Sequence, residues 1–263
     1  MRKSIRRAAL SLAALLLMAP LAIFGGSLAA GSFGVDRGDF GSFKRSLNDR
    51  PYGYRVVEDP TGSAPTRRVE RFEVRPGDCV DGKNWGDCRN DRERSELSQE
   101  TNLGMEGDAY WYGWFFYLSK DFPHVYPTKL TLGQFHQKKS WVFFLFQHLK
   151  DGFYIERHWN RKTKERKLLL GEDELRGRWH RIEVHARWSR DDSGFFRVYV
   201  NGKKAYDYEG KTMSARRIYF KYGVYRAFVS RYKGVRHVDE VPAQIAYYAN
   251  VRRGKTREGL NAS

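Results

Sequence analysis

The sequence predicts an all-β fold, a sandwich or jelly roll of two antiparallel sheets in one domain. Three observations carry that expectation. Short runs rich in Tyr, Trp and Val recur with turn residues between them. Helical periodicity is nearly absent, "EDELRGRW" offering one short turn at most. No internal repeat or shift of composition divides the chain. Sandwiches of this kind often curve, and a curved sheet has a concave face that can hold an extended ligand.

The elements follow in order. "MRKSIRR" is a basic segment, "AALSLAALLLMAPLAIF" an apolar run interrupted by Pro20, and "GGSLAAGS" a set of small residues. That is the three-part layout of a secretory signal peptide over residues 1–29, cleaved after Ala29 or Ala30. An uncleaved anchor is the alternative, although the apolar run is short for a bilayer span. No other long apolar segment follows, so the mature chain is expected in the periplasm or outside the cell, with no stable membrane span. Cleavage leaves 234 of 263 residues and removes Arg2, Lys3, Arg6 and Arg7, taking the formal charge from +17 to +13. So positive a chain favours a polyanionic partner. Outside the cell acidic polysaccharide is more available than nucleic acid.

Residues 31–50 look irregular. The domain is assigned to 30–250, with 251–263 a basic, disordered tail. "YRVVEDPTGSAPTRRVERFEVRPGD" reads as two short strands about a turn. Cys79 and Cys88 lie in "GDCVDGKNWGDC", where Gly, Asp and Asn suit a tight loop. In an oxidising compartment such a pair forms a disulfide, and a metal site would need more ligands than the loop supplies. "AYWYGWFFYL" (109–118) and "KLTLGQFHQ" (129–137) read as strands. "SWVFFLFQHL" (140–149) and "GFYIERHW" (152–159) form a hairpin about "KDG". "WHRIEVHARWS" and "GFFRVYVNGKKAYDYEG" follow, with "NG" a two-residue hairpin turn. "YYANVRRGK" is the last strand.

The stretch "RRIYFKYGVYR", residues 216–226, is unusual. On a two-residue period Ile218, Phe220, Tyr222 and Val224 share one face, and Arg217, Tyr219, Lys221, Gly223 and Tyr225 the other. The first set suits a core. The second is neither a core face nor an ordinary solvated one. Two further stretches present polar residues at the same step: Arg94 and Glu96 in "RSEL", Gln134 and His136 in "QFH". If the three strands are neighbours, these groups form one patch. The set suits β-elimination in a uronate polymer. That reaction must neutralise a carboxylate, remove the C5 proton and protonate the departing O4. Arg and Gln partner a carboxylate and stabilise the enolate-like charge. His serves as a base near neutrality. Tyr can give a proton to the leaving oxygen, and Gly223 leaves room for a sugar beside Tyr225.

In these three motifs, taken in order, the chain resembles the β-jelly-roll (concanavalin-like) polysaccharide lyases, which include alginate, glucuronan and heparin lyases. "RSELS", "QFH" and "YFKYGVY" stand where that group carries Arg-x-Glu-x-Arg, Gln-Ile/Val-His and Tyr-Phe-Lys-x-Gly-x-Tyr. The likeness extends to "VVEDPTG" and "WHRIEVHARWS…VNG", and so covers most of the mature chain. It implies that Arg94 and Gln134 hold the carboxylate, that His136 is the base or a carboxylate ligand, and that Tyr225 is the acid or, as in some members of the group, both base and acid. Lys221 would be a subsite cation and Glu96 would orient Arg94 or Lys221. Tyr219 and Arg226 complete the expected substrate contacts. Ser98 stands where the second Arg of the first motif would be, and Arg226 follows the final Tyr, which resembles the heparin and glucuronan branch more than alginate lyases. The expected partner is an anionic polysaccharide such as glucuronan, alginate or a heparin-like glycan, acted on by a monomer. No cofactor is indicated; a structural calcium is left open.

Two other functions are compatible with the composition. One is a jelly-roll module that binds anionic glycans without catalysis, which would not need His136 and Tyr225. The other is a glycoside hydrolase, which needs two opposed carboxylates; Glu96 has no acidic partner in the three motifs. His180 and His185 have the wrong spacing to share a strand face. No P-loop, nucleophile elbow or zinc-protease helix is present.

Overall fold

Alternating apolar and polar side chains turn one face of each strand inwards. In the computed structural model, which describes residues 35–160 and 164–261, this produces two antiparallel sheets. The signal-peptide assignment lies outside the described residues. In chain order the strands are β1 (Phe43–Arg45), β2 (Tyr54–Glu58), β3 (Arg68–Val74), β4 (Arg92–Gln99), β5 (Gly104–Met105), β6 (Ala109–Leu118), β7 (Lys129–Gln137), β8 (Val142–Leu149), β9 (Gly152–His158) and β10 (Lys164–Gly171). A helical turn α1 (Glu172–Leu175) precedes β11 (Trp179–Arg187), β12 (Phe195–Val200), β13 (Lys203–Glu209) and β14 (Arg217–Ala227). Helix α2 (Val229–Arg236) then leads to β15 (Gln244–Gly254).

One sheet runs β1-β4-β14-β7-β8-β9-β10, with β5 also on β14; the other runs β13-β12-β11-β6-β15-β3-β2. The layer between them is aromatic. Phe135 lies 5.0 Å from Phe220, and Trp114 5.0 Å from Phe220. Truncating such a ring to Ala costs about 3–5 kcal/mol. The hairpins at Lys150–Asp151 and Asn201–Gly202 form as expected.

Strand β14 sits between β4 and β7 in the first sheet. Its residues Ile218, Phe220, Tyr222 and Val224 enter the core, so Tyr219, Lys221 and Tyr225 face away from it. Two irregularities adjust this pattern. In β7, Leu132 and Gly133 both turn towards the core where the register shifts, so that Thr131 on one side and Gln134 on the other keep the outer face. In β14 the shift falls at Gly223, whose φ is 129°. The hydroxyl of Tyr248, on β15 of the opposite sheet, donates towards both places, 2.7 Å from Leu132 O and 2.9 Å from Gly223 O.

Several expectations need correction. Gly223 does not make room for a sugar. A Cβ there would lie 2.4 Å from Ser95 O and 2.7 Å from the Phe72 ring, so the glycine serves the bulge and the close approach of β4. Residues 251–263 are not a loose basic tail as far as residue 261: β15 continues to Gly254 and Leu260 is buried. The irregular segment 31–50 contains β1. Strand β10 and helix α2 were not foreseen, because "KERKLLL" and "VSRYKGVR" carry no clean period.

Candidate active site

Backbone pairing brings the three motifs together. Tyr225 lies opposite Arg94, Gly223 opposite Glu96, Lys221 opposite Gln134, and Tyr219 opposite His136. All of the polar side chains fall on the outer face, yet they are deeply recessed: Arg94 is 6% exposed, Gln134 3% and Lys221 5%.

Glu96 is the hub. Its carboxylate accepts from Arg94 Nη1 (3.0 Å), Gln134 Nε2 (2.6 Å) and Lys221 Nζ (2.6 Å). Burial pushes the Glu96 carboxyl up, but Lys221 and Arg94 outweigh it and hold it below the ordinary range. Lys221 is drawn down to about 8 by burial, against the pull of Glu96.

Arg94 departs from its expected role. Its Nε and Nη2 both donate to Asp87, each at 2.5 Å, and Nη1 goes to Glu96. Burial pulls the guanidinium down; Glu96 and Asp87 more than offset that, leaving it raised. The Tyr225 ring lies 4.2 Å from the guanidinium carbon. All three guanidinium nitrogens are thus tied to carboxylates, Nη1 also lies 3.4 Å from Ser46 Oγ, and the group stands as a fixed cation beneath the phenol. Asp87 is the residue that sequence reasoning missed. It precedes Cys88, and the Cys79–Cys88 disulfide closes the loop that carries it. The only available signal was an acidic residue beside a cysteine, close in sequence to the arginine.

His136 Nδ1 lies 2.9 Å from Gln137 O. A carbonyl can only accept, so Nδ1 carries the proton and Nε2 keeps its lone pair. Burial, then Lys221, lowers this imidazole to about 4, so it is neutral at physiological pH. Its ring leans on Tyr219 at 5.3 Å. Burial raises the Tyr225 phenol despite Arg94 and Arg92, so it stays protonated. Burial likewise takes Tyr219 up to about 12.

Arg226 does not belong to this face. It is 0% exposed, sits on the inner side of β14, and gives Nη1 to Pro242 O (2.6 Å) and Nη2 to Arg75 O (3.1 Å), with Glu93 as its ion-pair partner. It was expected to bind substrate because it follows Tyr225, but strand alternation turns the next residue inwards. His180 and His185 likewise diverge: His180 is buried against Phe116, while His185 stacks on Trp111.

Among the described residues, one group has metal-ligand character: His124, His148 and Glu172, with donor atoms within 4.8 Å of one another. His148 Nε2 is already bonded to Glu172 (2.6 Å), and His124 Nε2 lies 3.0 Å from Leu149 O. Its members take no part in the Glu96 network.

The family model described as polysaccharide lyase matches residues 35–252. The chain belongs to the polysaccharide lyase family. The lyase has no match among curated protein sequences. Its fold is shared with solved structures. An endo-β-1,4-glucuronan lyase from the fungus Trichoderma reesei is 16% identical, with 81% of this chain and 90% of that one covered and a TM-score of 0.59. A family 7 alginate lyase is 15% identical, covering 81% and 92% at a TM-score of 0.54. An alginate lyase from Corynebacterium sp. is 18% identical, covering 81% and 93% at 0.52. At these identities the likeness establishes the lyase as a jelly roll. Among the described residues no helix is long and apolar enough to cross a membrane.

Proposed function

We propose that the protein is an exported lyase that cleaves a uronate-containing polysaccharide by β-elimination, with His136 as base and Tyr225 as acid. The observation that supports this reading is that a neutral imidazole with an unprotonated Nε2 and a protonated phenol lie on the same sheet face as the Glu96 network. Gln134 has an N–H beyond the one given to Glu96, and the Lys221 ammonium has further donors; both address the substrate carboxylate. Neutralising that carboxylate makes C5–H acidic enough to lose. His136 Nε2 takes the proton, the C5 electron pair forms the C4–C5 double bond, the C4–O4 bond breaks, and Tyr225 protonates O4. The fixed Arg94 charge beneath Tyr225 stabilises the phenolate left behind. Exchange of one proton with water restores both groups.

A hydrolase reading is poorly supported. Glu96 is 1% exposed, ionised and fully engaged, so it cannot act as a general acid.

The test is a panel of glucuronan, mannuronate and guluronate blocks of alginate, and heparin, followed by the ultraviolet absorbance of the new double bond. Product from at least one polymer, abolished in Tyr225→Phe, supports the assignment. Binding without product across the panel would leave a non-catalytic glycan-binding protein. Full activity in Tyr225→Phe would remove Tyr225 from its role.

A further inference from the structure

The outer face does not end at the Glu96 network. On β7, Leu130 is in the core, so Lys129 and Thr131 face the same way as Gln134 and His136. On β8, Gln147 lies opposite Thr131 and donates to its hydroxyl at 3.1 Å. Gln147 is 3% exposed, and its Oε1 has no hydrogen-bond partner among the described residues. A buried acceptor in that state costs about 1–3 kcal/mol unless something donates to it. A sugar hydroxyl lying along the face would do so.

Beyond Gln147 the face opens into a cavity of about 430 Å³. Its walls include Lys129, Lys150, Lys164, Arg166 and Arg231, against one carboxylate, Asp151, which already accepts from Tyr154 (2.7 Å). Glu156 stands beside the cavity, but it is shared by His158 (2.6 Å), Arg166 and, at 3.9 Å, Lys129. Positive charge here exceeds its local compensation. The crowding shows in Lys129, which burial takes down to about 8 and which Lys164 and Arg166 depress further while Glu156 opposes them. Lys129 lies opposite Ala227, two residues past Tyr225, and five residues from Gln134 on β7, about 16 Å of strand, so the cavity lies on the Tyr225 side of the Glu96 network.

We propose that this cavity is a second anion site, where Lys129, Lys164, Arg166 and Arg231 hold a further carboxylate of the same polyuronate chain on the Tyr225 side of the bond that breaks, with Gln147 as the hydroxyl contact between the two sites. This rests on the lyase reading above.

Lys164→Gln/Arg231→Gln tests it, because neither side chain supports Glu156. The probe is polymeric glucuronan, or whichever polyuronate the panel selects. KM should rise several-fold with kcat unchanged. Arg67→Gln/Lys203→Gln removes two exposed cations elsewhere and should leave KM unchanged. An unaltered KM, or an equal rise in the Arg67/Lys203 variant, overturns the proposal. Polymer binding to the Tyr225→Phe protein by calorimetry, with and without the two substitutions, reads the site without turnover. Weakened binding there with no activity in the parent enzyme would sink the lyase reading and keep the anion site. Unchanged binding would sink the site alone.

Discussion

Two buried carboxylates flank β14, and they do different things. Glu70, on β3, is 2% exposed and lies on the core side of the strand; Glu96, on β4, is 1% exposed and lies on the outer side. Each pairs with an arginine: Arg37 at 2.6 Å and Arg94 at 3.0 Å. Each has a β14 tyrosine nearby. At Glu70 the circuit is closed: Tyr222 and Tyr54 both donate to Oε1 at 2.8 Å, Arg37 gives Nη2 to Oε1 (2.6 Å) and Nη1 to Oε2 (3.3 Å), and Arg37 Nη1 also donates to the Tyr222 hydroxyl. At Glu96 the tyrosine is held differently. Tyr225 rests on the arginine rather than on the acid, and a neutral histidine shares the face. The same ingredients make a structural tie where every phenol is spent on the carboxylate, and leave a phenol in reserve on the outer face, where it is kept back from the acid.

The sharpest way to test this contrast is one chemical change at two positions. Tyr225→Phe should lower turnover by about 10²–10⁴-fold, the usual worth of a general acid, with an unchanged melting temperature. Tyr222→Phe should keep turnover and lose about 1–3 kcal/mol in urea unfolding, as the Glu70 cluster loses a buried partner. If both changes act on stability alone, the distinction fails. Next come the arginines. Arg37→Ala and Arg94→Ala each strand a buried carboxylate and should each cost about 3–5 kcal/mol. Only Arg94→Ala should also slow the fraction that remains folded, measured by activity per folded molecule.

A smaller effect is expected from opening the loop that carries Asp87. Cys79→Ser/Cys88→Ser should cost about 2–3 kcal/mol and reduce turnover, because Arg94 loses a firmly held partner. The Glu70 side should not respond, so the Tyr222→Phe penalty should be the same in this background. Smallest is the shape of the pH profile. His136 must be neutral, so kcat/KM should rise with pH through about 4; Lys221 must be charged, so it should fall through about 8. Lys221→Met removes a cation that lowers His136, and should move the acid limb upward in whatever activity survives. An acid limb near 6.5 in the wild type would show an imidazole unperturbed by its surroundings.

The difference between the two clusters also explains what could be read from the sequence. Fold class was legible because strand alternation and turn residues are local signals. So were the face-sharing of Tyr219, Lys221 and Tyr225, and of Gln134 with His136. What sequence could not supply was consumption, meaning which donors are already spent. Arg94 reads from the sequence as a carboxylate ligand, and its tie to Asp87 depends on how a disulfide loop folds back. Arg226 was misplaced by adjacency to Tyr225, against the alternation that places its neighbours correctly. Gln147 and Lys129 were invisible as candidates because their meaning depends on a register shift in β7 that no local pattern announces. Glu70 and Arg37, distant in sequence, gave no hint of being a pair.

The Tyr248 hydroxyl gives the far sheet a say in chemistry it never touches. By grasping both Leu132 O and Gly223 O it sets the phase of two neighbouring strands at once. The alignment of the Glu96 face is thereby written partly in the layer behind it. Attempts to retune substrate choice can freely vary rim side chains, while a single oxygen atom on the opposite wall acts as the alignment pin that must be left alone.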